Sequence, residues 1–167
     1  GEKQTPGTAM ATLGTRQTNR GFGERFQYSN PLAAAAGFSG GQIANPGSEL
    51  GAGYDQAMQA LVFDPLGMRS TTFDYAAAQT GDYAAPHGYD IGHSVRVMDM
   101  GLNNTIRSSR PAGPAWSPVD DLLKYVQMEI QRRLLPDGTR SIRAPALPQR
   151  PQPQVPPRRD PRHAPAP

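Results

Sequence analysis

The sequence contains no cysteine, which excludes disulfides, thiolate zinc sites and a cysteine nucleophile. It also lacks any run of about 18 apolar residues, the length that a membrane-spanning helix needs. We therefore expect no membrane span, and we expect chemistry to come from oxygen or nitrogen groups. The chain begins with Gly1, and no basic and apolar signal-peptide pattern follows, which predicts a processed start.

Positive and negative charges nearly balance over most of the chain. Residues 141–167 hold five Arg and one Asp, a net charge of +4. Residues 1–140 have a net charge of −1, which gives the overall net charge of +3. Because residues 1–140 have no basic stripe, we do not expect them to bind nucleic acid. Binding of an anionic partner by the basic tail stays open as an alternative.

Proline is concentrated at the end of the chain, where nine of the eighteen prolines fall in residues 141–167. This segment has no apolar periodicity and too little hydrophobic content to offset its ordering entropy, which predicts a disordered Pro/Arg-rich tail. Residues 1–140 have the size of one domain with one core. The abrupt change of composition near Ser141 suggests a reading-frame change or an aberrant terminus as a hypothesis.

Two helices are predicted after an initial loop over residues 1–25. Asn30 is the predicted N-cap of the first helix and Pro31 its first residue, with the end assigned to three glycines, Gly37, Gly40 and Gly41. The second helix is predicted from about Ala52 to Phe63, because apolar residues recur there at helical spacing. It should end at Pro65 and Gly67.

A third helix is predicted to follow WSPVDD, with Ser117 as N-cap and Pro118 as first residue. Asp120 and Asp121 are interpreted as first-turn residues that favour the positive end of the helix dipole, in preference to paired catalytic carboxylates. The apolar residues of this helix predict a core-facing side, formed by Leu122, Leu123, Val126, Ile130 and Leu134. The helix should end before a turn over residues 135–138.

The segment over residues 67–115 is predicted to be mostly irregular, with a short strand from Ser94 to Met98. Within it, His87, Asp90 and His93 in HGYDIGH have metal-ligating side chains, but no second cluster accompanies them. We therefore interpret HGYDIGH as a surface loop, and we expect no metal and no cofactor.

Tyr28, Ser29 and Asn30 form the clearest candidate site. In extended backbone the side chains at i and i+2 point to the same side, so Tyr28 and Asn30 can act on one site. A phenol beside a helix N-terminus is a candidate proton acceptor, because the positive end of the helix favours its ionised form. A Tyr followed by a capping Asn also occurs for purely structural reasons, so context has to decide.

The context is a series of blocks: FQYSN, a helix of small residues, YDQAMQALVFDPLGMRSTTFD, APHGYD and RPAGPAWSPVDDLLKYVQMEI. This order resembles the serine β-lactamase-like hydrolases, which include class C β-lactamases, low-molecular-weight penicillin-binding proteins, D-amino-acid peptidases and related esterases. Members carry a Y-x-N motif, a PLGM-S/T-T block and a PAG-x-x-S-x-x-D-L block, all present within residues 20–140. The resemblance implies an α+β fold, of which residues 1–140 form mostly the helical part with an incomplete antiparallel sheet.

The resemblance also implies residue roles. Tyr28 corresponds to the tyrosine that relays protons to and from a nucleophilic serine, and Asn30 to the residue that hydrogen-bonds the substrate amide and the active-site lysine. Ser29 is the less demanding middle residue of the motif. The substrates would be small amides, β-lactams, D-amino-acid peptides or esters, and the resemblance suggests a periplasmic or secreted protein, with the cytoplasm and the oligomeric state left open.

Two family motifs are absent from the 167 residues. The S-x-x-K motif cannot be formed, because the only lysines are Lys3, with no residue three positions before it, and Lys124, with Asp121 there. No K/H-T/S-G motif follows either, since residues 137–139 are Asp-Gly-Thr in a predicted turn. We therefore expect these residues to be inactive alone. The alternative is a non-catalytic, truncated protein that keeps part of the fold for binding.

Overall fold

A computed structural model describes residues 5–18, 21, 23–24, 26–101, 105–131, 134–135 and 137–140. The predicted tail over residues 141–167 lies outside the described residues. The elements, in chain order, are helix α1 (Pro6–Gly14), helix α2 (Asn30–Ala44), helix α3 (Leu50–Met58), a π turn (Gln59–Phe63), helix α4 (Asp64–Leu66), helix α5 (Tyr75–Ala78), strand β1 (His87–Tyr89), strand β2 (Val95–Val97), a 3₁₀ segment (Arg107–Ala112) and helix α6 (Val119–Ile130).

Helix α1 lies in the segment for which we predicted only a loop, so that prediction was wrong. Thr5 is the N-cap: its hydroxyl accepts from Thr8 N–H at 3.2 Å, and its own N–H donates to Thr8 Oγ1 at 2.9 Å. Pro6 follows as the first helical residue, where its missing N–H costs nothing. The threonine–proline pair was the available signal, and the surrounding glycines and arginines obscured it.

Helix α2 begins at Asn30, one residue earlier than a cap at Asn30 would place it, because the cap is Ser29. Ser29 has extended backbone (φ −153°, ψ 106°), and its Oγ accepts the N–H of Leu32 at 3.3 Å. Asn30 is therefore the first helical residue, and Pro31, which was predicted to be the first, is the second. The correction places the middle residue of the Tyr-Ser-Asn motif in a structural role.

The predicted end of α2 at three glycines was also wrong, because the helix continues to Ala44. Two of these glycines are points of close approach. A Cβ on Gly41 would lie 2.7 Å from the backbone nitrogen of Tyr54, and a Cβ on Gly37 would clash with the Cβ of Pro111. Tertiary packing thus makes glycine the residue that fits inside this helix, against its local tendency to end helices.

Helix α3 and the elements after it form one continuous run, longer than the predicted helix from Ala52 to Phe63. The chain continues from α3 through the π turn into α4, so Pro65 lies within the run, directly after the change in hydrogen-bond register. The predicted stop at Gly67 is confirmed: it is left-handed (φ 65°), and Met68 N–H donates to Phe63 O at 2.8 Å. This is a Schellman cap, which glycine accommodates best.

Strands β1 and β2 form an antiparallel hairpin in which Gly88 pairs with Arg96. Strand β2 falls inside the predicted strand from Ser94 to Met98, and the other described residues of the segment 67–115 form only short elements, so both predictions are confirmed where the structure describes this segment. About half of the described residues are helical, and together with this small antiparallel sheet they form an α+β fold.

Helix α6 contacts the core with a different side than predicted. Its buried residues are Asp121 and Met128, with Tyr125 partly buried between them. Met128 completes a core cluster with Phe63, Leu66 and Met68, and Tyr125 packs against this cluster. Four of the residues predicted to face the core are instead 47% to 76% exposed: Leu122, Leu123, Val126 and Ile130. Apolar spacing identified the helix correctly but could not identify the face that the rest of the chain covers.

Candidate active site

The Tyr-Ser-Asn segment lies at the N-terminal end of α2. Ser29 anchors it, because its side chain caps the helix and its carbonyl accepts the N–H of Ala33 at 3.1 Å. Ser29, between Tyr28 and Asn30, has extended backbone. This is the conformation in which side chains at i and i+2 point to the same side and can serve one site.

Tyr28 and Asn30 are both exposed, and the Tyr28 side chain retains 75% of its accessible surface. Neither side chain has a hydrogen-bond partner among the described residues. A phenol can both donate and accept hydrogen bonds at its oxygen, and a carboxamide donates from its nitrogen and accepts at its oxygen. The segment therefore presents two polar groups to an incoming molecule, and their catalytic assignment stays a prediction.

The helix behind this segment is held firmly at its middle. Phe38 of α2 is fully buried and packs edge-to-face on Tyr54 of α3, with 6.1 Å between ring centroids. The close approach at Gly41 brings the two helix backbones together at the same level. These contacts fix the direction of α2 and so fix where Tyr28 and Asn30 emerge.

An ion pair joins the 3₁₀ segment to α3, and the sequence analysis missed it. Arg110 Nε donates to Asp55 Oδ1 at 2.7 Å, and both side chains are about two thirds or more buried. Burial raises the pKa of the Asp55 carboxyl, although the Arg110 hydrogen bond opposes this. Arg110 also lies against Gly51, where a Cβ would be 2.8 Å from its Nη2. Nothing in the local pattern of either residue pointed to a partner 55 positions away.

Asp121 is the polar centre of the contact between α6 and the loop after α4. Its Oδ2 accepts from Ser70 N–H at 2.9 Å and Thr71 Oγ1 at 3.0 Å, and its Oδ1 accepts from Lys124 Nζ at 2.7 Å. Its exposed fraction is only 3%. Burial raises the pKa of Asp121, but the hydrogen bonds from Lys124, Ser70 and Thr71 outweigh burial and hold that pKa below its usual value.

The first-turn interpretation of Asp121 was therefore incomplete, and the predicted cap at Ser117 was wrong. Pro118 is the N-cap residue of α6, and it makes no side-chain hydrogen bond. Ser117 Oγ instead pairs with Thr71 Oγ1 at 2.8 Å. The PLGM-S/T-T block and the WSPVDD block are thus two halves of one contact.

Lys124 belongs to this structural contact. Its ammonium donates to Asp121 Oδ1 and, at 2.6 Å, to the carbonyl of Gly67. Both acceptors of the Lys124 ammonium thus lie in the contact between α6 and the chain around α4.

The HGYDIGH segment, predicted to be a surface loop, consists of strand β1 (His87–Tyr89) and most of the exposed turn that leads to β2. Asp90 is already used there, because Oδ1 accepts from Ser94 N–H and Oδ2 accepts from Arg96 Nε, both at 2.9 Å. His87 Nδ1 donates to the carbonyl of Ala85 at 2.8 Å. In the part of the chain that the structure describes, no group of three or more metal-ligating side chains comes together.

Comparison with known proteins gives one result. The family model described as Beta-lactamase matches residues 2–164, nearly the whole chain and more than the residues 20–140 over which we had noted the resemblance. Searches of curated proteins and of solved structures find no match. Among the described helices, none has the length and apolar content to cross a membrane.

Proposed function

Because the chain belongs to the beta-lactamase family, we propose that it takes part in acyl transfer of the serine-hydrolase type on a small amide, β-lactam or ester. Tyr28 relays protons and Asn30 hydrogen-bonds the substrate amide in this proposal. The observation that carries it is the exposure of both side chains on one anchored segment at the start of α2. Ser29 contributes the anchor through its cap, and contributes no chemistry.

The nucleophile is the part of this chemistry that the 167 residues do not contain. Acyl transfer needs a serine hydroxyl activated by a neighbouring base. Neither lysine has a serine three positions before it, and Lys124 is engaged by Asp121. We therefore propose that these residues bind substrate without turning it over. The alternative, a non-catalytic protein that uses the fold for binding, makes the same prediction for turnover but not for where a ligand binds.

The first prediction concerns covalent chemistry. The 167-residue chain should hydrolyse neither nitrocefin nor a p-nitrophenyl ester, and a fluorophosphonate probe should leave its intact mass unchanged, because no activated serine is present. An intact serine β-lactamase serves as the positive control under the same conditions. A burst of product, or one probe molecule attached to a serine of this chain, would contradict the proposal.

The second prediction concerns the location of binding. A β-lactam titrated into the ¹⁵N-labelled chain should shift the amide signals of Ser29, Asn30 and Leu32. Tyr28→Phe and Asn30→Ala should each weaken binding about three- to tenfold, the effect of losing one hydrogen bond. Tyr89→Phe is the matched control, because Tyr89 is 76% exposed against 75% for Tyr28 but lies on the hairpin.

The outcomes of this titration separate the two functional classes. Saturable shifts at the α2 N-terminus that depend on Tyr28 and Asn30 support the hydrolase assignment. Saturable shifts elsewhere, or equal weakening by the hairpin control, would remove the support for a substrate site at this segment and favour the non-catalytic alternative.

A further inference from the structure

A small cavity lies where α1, the first turn of α2 and the 3₁₀ segment meet, and its volume is about 70 Å³. Its apolar wall comes from Ala9, Met10, Leu13 and Pro31, and its polar lining from Thr12, Arg16 and Ser109. Three elements that are distant in sequence therefore contribute to one concave surface. Polar and apolar surface contribute to it in similar measure, so the cavity can contact both a charged and an apolar part of a small ligand.

The polar groups of the cavity differ in whether they are already used. Thr12 Oγ1 donates to the carbonyl of Thr8 at 2.9 Å, so its hydrogen is engaged. The side chains of Arg16 and Ser109 have no hydrogen-bond or ion-pair partner among the described residues. Two donors, one of them a cation, thus remain available at the rim of an apolar wall.

The surrounding charge favours an anion. Residues 5–18 contain no acidic residue, and Arg16 is their single charged side chain. Ser109 lies in a 3₁₀ segment between two more arginines, Arg107 and Arg110. Arg110 is paired with Asp55, and Arg107 lies over the ring of Tyr75, 5.1 Å from its centroid, and also interacts electrostatically with Asp55, so Arg16 is the cation that the cavity itself presents.

We propose that this cavity binds a short-chain monocarboxylate. The planar guanidinium of Arg16 matches a carboxylate with two parallel hydrogen bonds, and the Ser109 hydroxyl donates a third. The alkyl chain packs on Met10, Leu13 and Pro31, a wall that a fully polar anion such as phosphate leaves unused. The small volume limits the ligand to a few carbon atoms.

The third prediction tests this with butyrate and its uncharged analogue butyramide, titrated into the full ¹⁵N-labelled chain at constant ionic strength. Butyrate should cause saturable shifts at the amides of Leu13, Arg16 and Ser109, and butyramide should bind at least about tenfold more weakly, because hydrogen bonds to a charged group are the stronger ones. Equal binding of both compounds, or butyrate shifts that do not saturate, would overturn the proposal.

Variants assign the effect to the cavity. Arg16→Gln should weaken butyrate binding about tenfold, Ser109→Ala less so, and Arg69→Gln, a change at an exposed arginine outside the cavity, should leave binding unchanged. Unaltered thermal midpoints show that the variants fold. Tyr28→Phe should also leave butyrate binding unchanged, so this site and the proposed hydrolase segment can fail independently. Loss of binding in Arg69→Gln, or none in Arg16→Gln, would refute the assignment.

Discussion

Asp121→Ala is expected to lower the free energy of unfolding by about 3 kcal/mol, which would unfold much of a marginally stable chain. The carboxylate is buried and accepts three hydrogen bonds, two of them from the loop after α4. Its removal takes one hydrogen-bond partner from the buried hydroxyl of Thr71, which keeps only Ser117 Oγ, and takes the acceptor from the N–H of Ser70, which is exposed and can bond to water. Lys124 is 43% exposed and regains water, so the loss is smaller than for a fully buried ion pair.

Urea denaturation of both proteins measures this difference, and Asp120→Ala is the matched control. Asp120 occupies the same helical turn and carries the same charge, but it is exposed. Its replacement should leave the midpoint nearly unchanged, since only a first-turn dipole interaction is lost. Equal destabilisation by the two variants would mean that charge at the α6 N-terminus, and not the buried contact, stabilises the fold.

The same pair of proteins makes a pH-dependent comparison possible. Because the pKa of Asp121 is lowered in the folded state, its contribution to stability is complete above the ordinary value of 3.8 and is lost as the pH falls through the folded-state pKa. The difference between wild type and Asp121→Ala should therefore shrink in acid. Other carboxyl groups with lowered pKa values, at Glu49, Asp90 and Asp137, are present in both proteins and cancel.

Gly41→Ala and Gly40→Ala are expected to change stability in opposite directions, although the residues are neighbours in α2. A Cβ at Gly41 would lie 2.7 Å and 2.8 Å from backbone atoms of Tyr54, which cannot move aside as a side chain could. The overpacking should cost about 2 kcal/mol after the gain in helix propensity. At Gly40 a Cβ meets nothing within 4 Å, so alanine should stabilise by up to about 1 kcal/mol.

Thermal and urea unfolding of both variants checks this prediction. Stabilisation by both substitutions would show that α2 and α3 can separate at Gly41 without cost. Destabilisation by both would show that the end of α2 is not a regular helix in solution. The opposite signs are the diagnostic result, because helix propensity is the same at both positions and only the distance to Tyr54 differs.

The sequence predicted the elements whose information is local, and missed those decided by contact. Pro31 in a first turn, the glycine stop at Gly67 and the helix over residues 119–130 follow from backbone chemistry within a few residues. The end of α2 did not, because Gly37 and Gly41 are selected by neighbours far along the chain. The buried side of α6 was missed for the same reason. An aspartate is normally expected at the surface, and the burial of Asp121 depends on Ser70 and Thr71, which are about 50 positions away in the sequence.

For the candidate site, the motif and its surroundings could be predicted to different extents. The Tyr-Ser-Asn pattern and the order of the blocks led to the family, and the family match extends over residues 2–164. The cap at Ser29, and hence the use of its hydroxyl, needed the backbone angles of the segment. The cavity beside Arg16 depends on an α1 helix that we had predicted as a loop, so no reading of Arg16 alone could have found it.

The hydrogen bond from Ser70 to Asp121 closes a loop whose ends are 51 positions apart. The entropy lost on closing a flexible loop grows only with the logarithm of its length, so each doubling costs about 0.6 kcal/mol. The β1–β2 hairpin lies inside this loop and pairs mainly with itself. Insertions or deletions in the hairpin should therefore be tolerated cheaply, which leaves evolution free to reshape that surface while the α2 segment stays in place.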